Sequence, residues 1–400
     1  MAASSPEQVR PGRPWRLPVI SRDPDEPHRA STPLELLFDL CFVVAVSSAA
    51  AELHRALAEG QVAKSLPSYL MGFFAIWWAW MNFTWFASAY DVDDVPYRLL
   101  TLVQLGGVLV LAAGVPAAFD HGDFTAVTLG YTIIRVAMIG HWLRAAQDDE
   151  AGRTTALRYA AGLFIVQVAW LLRLLLPDAL GFAAFLVLVV VEVSVPLWAE
   201  RTRMTKWHAG HIAERYGLFT LIVLGESVLT STNTLQIAIA EGGISRALLC
   251  VAGGGLLLIF GLWWSYFKRP AELGLRIAHQ TSFLWGYAHY AVFASLAATG
   301  AGIQVVAETA AHNTHLGQAT AAFTVAVPVA VALLVVGTVQ SLLDPSRSFV
   351  LRFVTAAVLV LAAAASGWFG VPAAVALLLM AIAVCGLIVL DLWDESRRAI

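Results

Sequence analysis

Two carboxylates stand one helical turn apart in the first apolar run of the chain, Glu35 and Asp39 in "STPLELLFDLCFVVAVSSAAAELHRALA", residues 31–58. Their i, i+4 spacing puts both on one face of a helix. Burying an ionised carboxylate in hydrocarbon costs roughly 2.5 to more than 10 kcal/mol, so a chain keeps one there only with a partner or a purpose. Glu35 has a plain alternative as a first-turn acid favoured by the helix dipole, with Ser31 or Thr32 as cap and Pro33 behind it. Asp39 lies a full turn deeper, where that explanation stops. The later run "HAGHIAERYGLFTLIVLGESVLTSTN" places His208, His211, Glu214 and Arg215 at its start and Glu226 well inside. His211 pairs by spacing with Glu214 (i, i+3) or Arg215 (i, i+4). Glu226, between "IVLG" and "SVL", has too short a side chain to snorkel to water. Arg135, Glu192 and His289 are further ionisable groups at mid-depth. Arg135 with Glu192 or Glu226 would make a buried ion pair that fixes helix packing. The stretch "YDVDDVPYRLL" sets Asp91, Asp93, Asp94 and Arg98 in a loop, ordinarily a solvated charge cluster. Arg98 or Arg276 is expected to reach one of the acids of the two acidic helices, which would otherwise be uncompensated.

These residues belong to elements that cross a membrane. Of 400 residues, 59% are hydrophobic and only 13% charged, with a net charge of -3 and mean hydropathy +0.72. That charged fraction is about half of what a soluble domain carries. Apolar runs of spanning length number about twelve, near 33–58, 66–90, 98–119, 123–146, 154–176, 179–199, 209–236, 245–267, 275–307, 318–342, 348–369 and 371–393. The fold class is therefore an all-α polytopic membrane protein. Residues 1–30 are rich in Pro and Arg and lack an apolar core, which reads as a disordered cytoplasmic tail. Two six-helix halves follow, 31–200 and 201–400, divided at "ERTRMTKW". A shift of 178 or 179 residues lays Glu35 on Glu214, Ser48 on Ser227, Trp85 on Trp263 and Arg98 on Arg276, the pattern of a parallel six-plus-six repeat. Six spans per half keep both halves in one orientation.

Basic residues collect in alternate loops, around Arg144, Arg153 and Arg158, around Arg201, Arg203 and Lys206, and around Lys268 and Arg269. The positive-inside rule then puts both termini in the cytoplasm. Cys41, Cys250 and Cys385 each fall singly within a run, without a CxxC pair or a histidine cluster, so neither a disulfide nor a zinc site is expected. The aromatic runs "WWAWMNFTWF" and "LWWSYF" read as interfacial belt and core packing.

"STPLELLFDLCFVVAV", "WWAWMNFTWF" with "DVDDVPYRLL", and above all "HIAERYGLFTLIVLGESVL" with the later "WWSYF" resemble, in order, the bacterial low temperature requirement protein A family. The likeness runs from about residue 31 to 390. It matches the family's acidic first helix to Glu35 and Asp39, its "ERYGLF…LGES" helix to Glu214, Arg215, Tyr216, Gly217, Gly225, Glu226 and Ser227, and its "DD…R" loop to Asp93, Asp94 and Arg98. "LLFDLCF" departs from the more aromatic family form but leaves the acids in place. The resemblance implies a bacterial membrane protein and carries no established chemistry.

Buried acids and histidines are the usual composition of proton or cation relays. The expectation is a proton-coupled transporter or ion-translocating protein of the bacterial inner membrane. Its path would lead from Glu35 and Asp39 through His211 and Glu214 toward Glu226, with Arg98, Arg135, Glu192 and His289 as further members. The rivals are a membrane-embedded enzyme acting on a lipid-linked substrate through His211, Glu214, Asp39 and Asp93, and a structural or sensor protein whose polar residues only hold helices together. The partners expected are the lipid bilayer and a small solute or ion of unassigned identity. No cofactor, metal or nucleic acid is called for, and oligomerisation is left open.

Overall fold

A computed structural model describes residues 15–26, 29–90, 92–277, 281–344 and 350–398; Asp91 lies outside them. Among the described residues the chain forms α1 (Pro33–Ala58), α2 (Val62–Tyr90), α3 (Val95–His121), α4 (Thr125–Asp148), α5 (Arg153–Arg173), α6 (Asp178–Ala199), α7 (Ala209–Gly242), α8 (Arg246–Phe267), the short α9 (Ala271–Ile277), α10 (Ser282–Ala310), α11 (Gln318–Leu343), α12 (Val350–Ala365) with a 3-10 turn, and α13 (Ala373–Arg398). Eleven helical segments are long and apolar enough to cross a membrane. The helix of spanning length outside that set is α2, whose tryptophans carry polar N–H groups into an otherwise apolar segment. It is nevertheless deeply buried, with Phe73, Ile76, Trp77, Trp78, Trp80 and Phe83 all enclosed. In a bilayer an intact helix satisfies its own backbone, which is why the apolar runs translate directly into helices.

One boundary differs from expectation. The ninth run does not start at 275: Arg276 belongs to α9, where it pairs with Glu272 one turn earlier at 2.9 Å on an exposed face. A charged i, i+4 pair keeps that turn at the surface, and the spanning helix begins afresh at Ser282.

The helices neighbour one another in the same order in both halves. In the first half α1 packs on α3, α3 on α4, α4 on α5 and α5 on α6; in the second α7 packs on α10, α10 on α11, α11 on α12 and α12 on α13. The closest of these pairs rest on glycines. A Cβ at Gly130 of α4 would stand 2.3 Å from the Leu111 backbone nitrogen, and one at Gly302 of α10 would stand 2.3 Å from the Thr324 carbonyl oxygen. Small residues let backbones approach where lipid gives no hydrophobic drive to association. The halves part company at their second helix: α8 lies along α13, whereas α2 is turned toward α7 and α10. The two halves thereby share one core, with α1, α2, α7 and α10 at its centre.

Residues 15–26 and 29–32 do not behave as the loose tail expected for 1–30; residues 1–14, 27 and 28 lie outside the description. The segment is laid across one end of the bundle. The Leu17 N–H donates to Asp94 Oδ2 (2.9 Å), the Val19 N–H to Asp148 Oδ2 (3.0 Å) and the Arg22 N–H to the Ala89 carbonyl (2.9 Å). The Arg29 guanidinium donates to the carbonyls of Ala87 and Ser88 at the end of α2. Asp94 is the hub: it caps α3 through the Tyr97 N–H at 2.8 Å and meets Arg144 at 2.5 Å. Burial would raise the Asp94 pKa, but the hydrogen bonds from the Leu17 N–H, Arg144 and the Tyr97 N–H outweigh it and hold the group below the usual carboxylate value. Composition alone misread this segment because its partners are remote helix ends.

Two outcomes follow. Gly130→Ala should destabilise by roughly 1–3 kcal/mol through overpacking. Gly106→Ala, at a position where a Cβ meets nothing within 4 Å, should be neutral or gain up to about 1 kcal/mol of helix propensity; paired thermal melts in detergent compare them. Asp94→Ala should speed amide exchange across 15–26 while sparing α1. Because the folded-state pKa of Asp94 is depressed, its contribution is present above the unfolded value and is lost as pH falls through the folded one. Exchange of the strap should therefore accelerate only below about pH 4.

Candidate functional site

The site is built on α1 and α7, which run side by side in the same direction. Thr32 caps α1, accepting from the Glu35 N–H at 3.3 Å, while Glu35 Oε2 accepts from the Thr32 N–H at 2.8 Å, a closed capping box. Glu35 is thus the first-turn acid that its position suggests, and its second oxygen does something else. Oε1 lies 3.1 Å from His211 Nε2 and 2.9 Å from Arg215 Nη1. One turn deeper, Asp39 takes Arg215 in a two-pronged pair, Nε to Oδ2 at 3.0 Å and Nη2 to Oδ1 at 2.6 Å, and accepts the Trp80 indole N–H at 2.7 Å. Glu35, Asp39, His211 and Arg215 are all 0% exposed.

His208 caps α7: its Nδ1 accepts from the His211 N–H at 3.0 Å and its Nε2 faces the Glu26 carbonyl at 2.9 Å. Since Nδ1 must be an acceptor and Nε2 the donor, His208 is held as one neutral tautomer. The fully buried cluster then contains two carboxylates against one guanidinium, and His211 is the neighbour able to carry the missing charge. Arg29, itself buried, also lies within electrostatic range of His211.

Beyond Asp39 the facing turns are apolar and fully buried, with Phe42 and Val46 on α1 and Phe219 and Val223 on α7. Phe219 stacks on Trp80 at 4.4 Å and meets Phe293 of α10 at 4.9 Å. Polarity resumes about 12 Å along the helix axis, where Ser47 Oγ donates to Glu226 Oε1 at 2.6 Å. Glu226 is half-buried, less enclosed than its apolar flanks imply. Thr230, one turn further, borders a polar hollow of about 460 Å³ with Asn233, Thr234, Gln304 and Glu308. His54 Nε2 meets Glu308 Oε1 there at 2.9 Å. Polar groups therefore string from Glu35 to His54 along one face of α1, broken once by aromatic packing.

The remaining residues singled out in the sequence go elsewhere. Glu214 is exposed, accepts the Ser31 N–H at 3.2 Å, and borders a second hollow of about 520 Å³ with Tyr266, Trp285, His289 and Gln340. In it His289 Nδ1 faces its own-helix Trp285 carbonyl at 2.8 Å, and Nε2 faces the Tyr266 hydroxyl at 3.0 Å. Arg98 does not reach the acids: it is exposed and pairs with Asp93 at 2.7 Å. Arg276 is likewise occupied, by Glu272. The cation that compensates the acids is Arg215, which already projects from α7 into the core one turn after His211.

Arg135 pairs with Glu192 and not with Glu226, far from the seam. Trp78 and Trp170 donate to the two Glu192 oxygens at 2.9 and 2.7 Å, while Arg135 donates to Asn82 (3.2 Å) and Tyr131 (2.5 Å). With both Glu192 oxygens and both terminal nitrogens of Arg135 answered, that pair fastens α4 to α6 and to their neighbours. Sequence reading missed Ser47, Trp80 and Trp78. Ser47 is eight residues after Asp39, on the same helical face, which was a usable signal; the indoles were taken for packing, and their N–H groups pointed at acids only in three dimensions. Among the described residues no three His, Cys, Asp or Glu side chains come together in a metal-like group.

Removing one partner of the central pair strands a buried charge. Arg215→Gln should lower stability by roughly 3–5 kcal/mol, and adding Asp39→Asn should restore much of it; the fraction of monodisperse protein after a heating series measures both.

The comparisons follow this frame. The chain is 30% identical over 291 residues, 68% of each chain, to the uncharacterized protein RA0937 of Rhizobium meliloti (strain 1021). Residues 30–390 match the bacterial low temperature requirement A protein (LtrA) family. That stretch takes in the capped acidic α1, the α7 cluster and every spanning helix up to the greater part of α13, and the protein belongs to the LtrA family of multi-pass membrane proteins.

Proposed function

We propose that this protein carries a small solute or ion across the bacterial inner membrane and that the α1–α7 seam couples the movement to protons. The observation that carries the reading is the seam itself. It holds a cluster of acids with a histidine at one end, Glu226 one turn short of a polar hollow at the other, and an aromatic layer between. In a coupled carrier the two polar ends must not be continuous in one conformation, and Phe42, Phe219 and Phe293 supply the break. Arg215 contributes the two-state element: a proton on Glu35 leaves the guanidinium one carboxylate charge fewer, a proton on His211 makes it share Glu35 with a second cation, and in either case its hold on Asp39 shifts.

The enzymatic alternative would gather Asp39, His211, Glu214 and Asp93 into one cleft. Asp39 and His211 are buried in the core whereas Glu214 is exposed and Asp93 is engaged with Arg98, so that grouping lacks support. In this reading the distribution of basic loops supports a cytoplasmic Glu35–His211 end and cytoplasmic termini, with Glu226 and the hollow beyond it toward the periplasm.

The test is Glu226→Gln in proteoliposomes. The amide keeps the acceptor for Ser47 and the shape of the neutral acid, so melting should move by no more than a few degrees while flux driven by an imposed pH gradient is abolished. A folded Glu226→Gln protein with wild-type gradient-driven flux would overturn the coupling role.

A further inference from the structure

The second helices of the two halves sit differently, and the difference leaves a space. In the second half α8 lies along α13; in the first half α2 turns inward and a groove of about 540 Å³ opens between α2, α6 and α10. Its walls are Leu70 and Trp77 of α2, Phe182 and Phe185 of α6, and Tyr287 and Tyr290 of α10. Leu70 is 41% and Phe182 52% exposed along its open side, so the groove faces the surrounding hydrocarbon and not an aqueous end of the bundle. Its α2 residues extend from Ala63 to Trp77, roughly 21 Å along the helix axis, somewhat more than the depth of one leaflet.

Apart from the buried Trp77 indole N–H, which has no partner among the described groups, the polar groups of the walls are engaged. The Tyr287 hydroxyl donates to the Val193 carbonyl at 3.0 Å and the Tyr290 hydroxyl to the Leu70 carbonyl at 2.8 Å, so both tyrosines spend their polar ends strapping α10 to the groove walls. At the end where α2 and α6 begin, the chemistry changes. The Arg173 guanidinium does not line the groove itself but borders a small neighbouring hollow that shares Phe74 and Phe185 with it, 5.5 Å from the ring of Phe185 and 5.5 Å from that of Phe124. Its Nε donates to the Gly181 carbonyl at 3.0 Å, and among the described side chains no carboxylate pairs with it. Its remaining donors suit a phosphate, and Lys64 is exposed on the first turn of α2 at the same end.

We propose that this groove is a resident site for one anionic phospholipid, with an acyl chain between α2 and α6 and the phosphate on Arg173. A hydrocarbon-facing cleft with almost wholly apolar walls, its two tyrosine hydroxyls already engaged, takes an acyl chain. An unpaired guanidinium at interfacial depth selects an anionic headgroup over a zwitterionic one. The occupant completes the packing that α13 gives α8 in the other half and backs Trp77, the neighbour of the indole that holds Glu192.

The experiment is native mass spectrometry of the full-length protein after exchange into mixed phosphatidylglycerol and phosphatidylcholine, with thermal melts in each lipid. Wild type should retain one phosphatidylglycerol and melt higher in it. Arg173→Gln should keep a lipid but lose about tenfold of the preference for phosphatidylglycerol, the effect of one charge-assisted contact. Leu70→Trp, which fills the groove from an exposed position, should lose the retained lipid altogether. Equal retention of both lipids by wild type, or an unchanged lipid preference in Arg173→Gln, overturns the proposal. Should Leu70→Trp not fold, the Arg173→Gln comparison decides alone.

Discussion

The structure depends on keeping Glu35 and Asp39 out of hydrocarbon and out of water at once. Two carboxylates with no solvent exposure are tolerable only because Arg215 lies between them, with His211 and Trp80 completing the shell. That requirement brings α1 and α7 together in parallel, and α2 must turn inward to deliver the Trp80 N–H. The central arrangement of four helices is in this sense a solvation shell for two acids. Removing either sign would leave the other stranded, which makes the cluster a determinant of folding whatever else it does.

The same physics appears a second time with a different outcome. Arg135 and Glu192 are equally buried, yet both carboxylate oxygens and both terminal guanidinium nitrogens there have partners and the charges cancel. The central cluster has two acids for one obligate cation, so its charge depends on a proton. A balanced pair clamps helices; an unbalanced one can respond to pH. The distinction rests on counting charges inside a closed contact set and not on depth in the membrane.

The strap formed by residues 15–26 and 29–32 ties this core to the end of the bundle. It enters through Asp94 and Asp148, crosses the end of α2 through Arg29, and passes the Glu26 carbonyl to His208 before Thr32 caps α1. His208 therefore links the strap to the start of α7, and the Glu35–His211 contact sits directly beneath it. The loop acids that read as a solvated cluster divide into two roles: Asp93 faces outward with Arg98, and Asp94 holds helix and strap together.

The number of spanning runs and, apart from the start of the ninth, their approximate extent were determined by the sequence alone, since in a bilayer an apolar run of spanning length has one way to satisfy its backbone. The family was legible too, because "LFDL", "ERYGLF" and "LGES" follow in the family's order. So was the shared face of Glu35 and Asp39, which follows from helical periodicity. Pairing was another matter. Whether Arg98, Arg215 or Arg276 answers the acids, and whether Arg135 meets Glu192 or Glu226, depends on which helices are neighbours, and periodicity within a helix carries no information about that. The inward turn of α2, the groove beside it and the docking of the N-terminal strap were likewise decided by tertiary structure. Each is a contact between residues far apart in sequence, set by the packing of close-approaching glycines and by the need to satisfy buried charge.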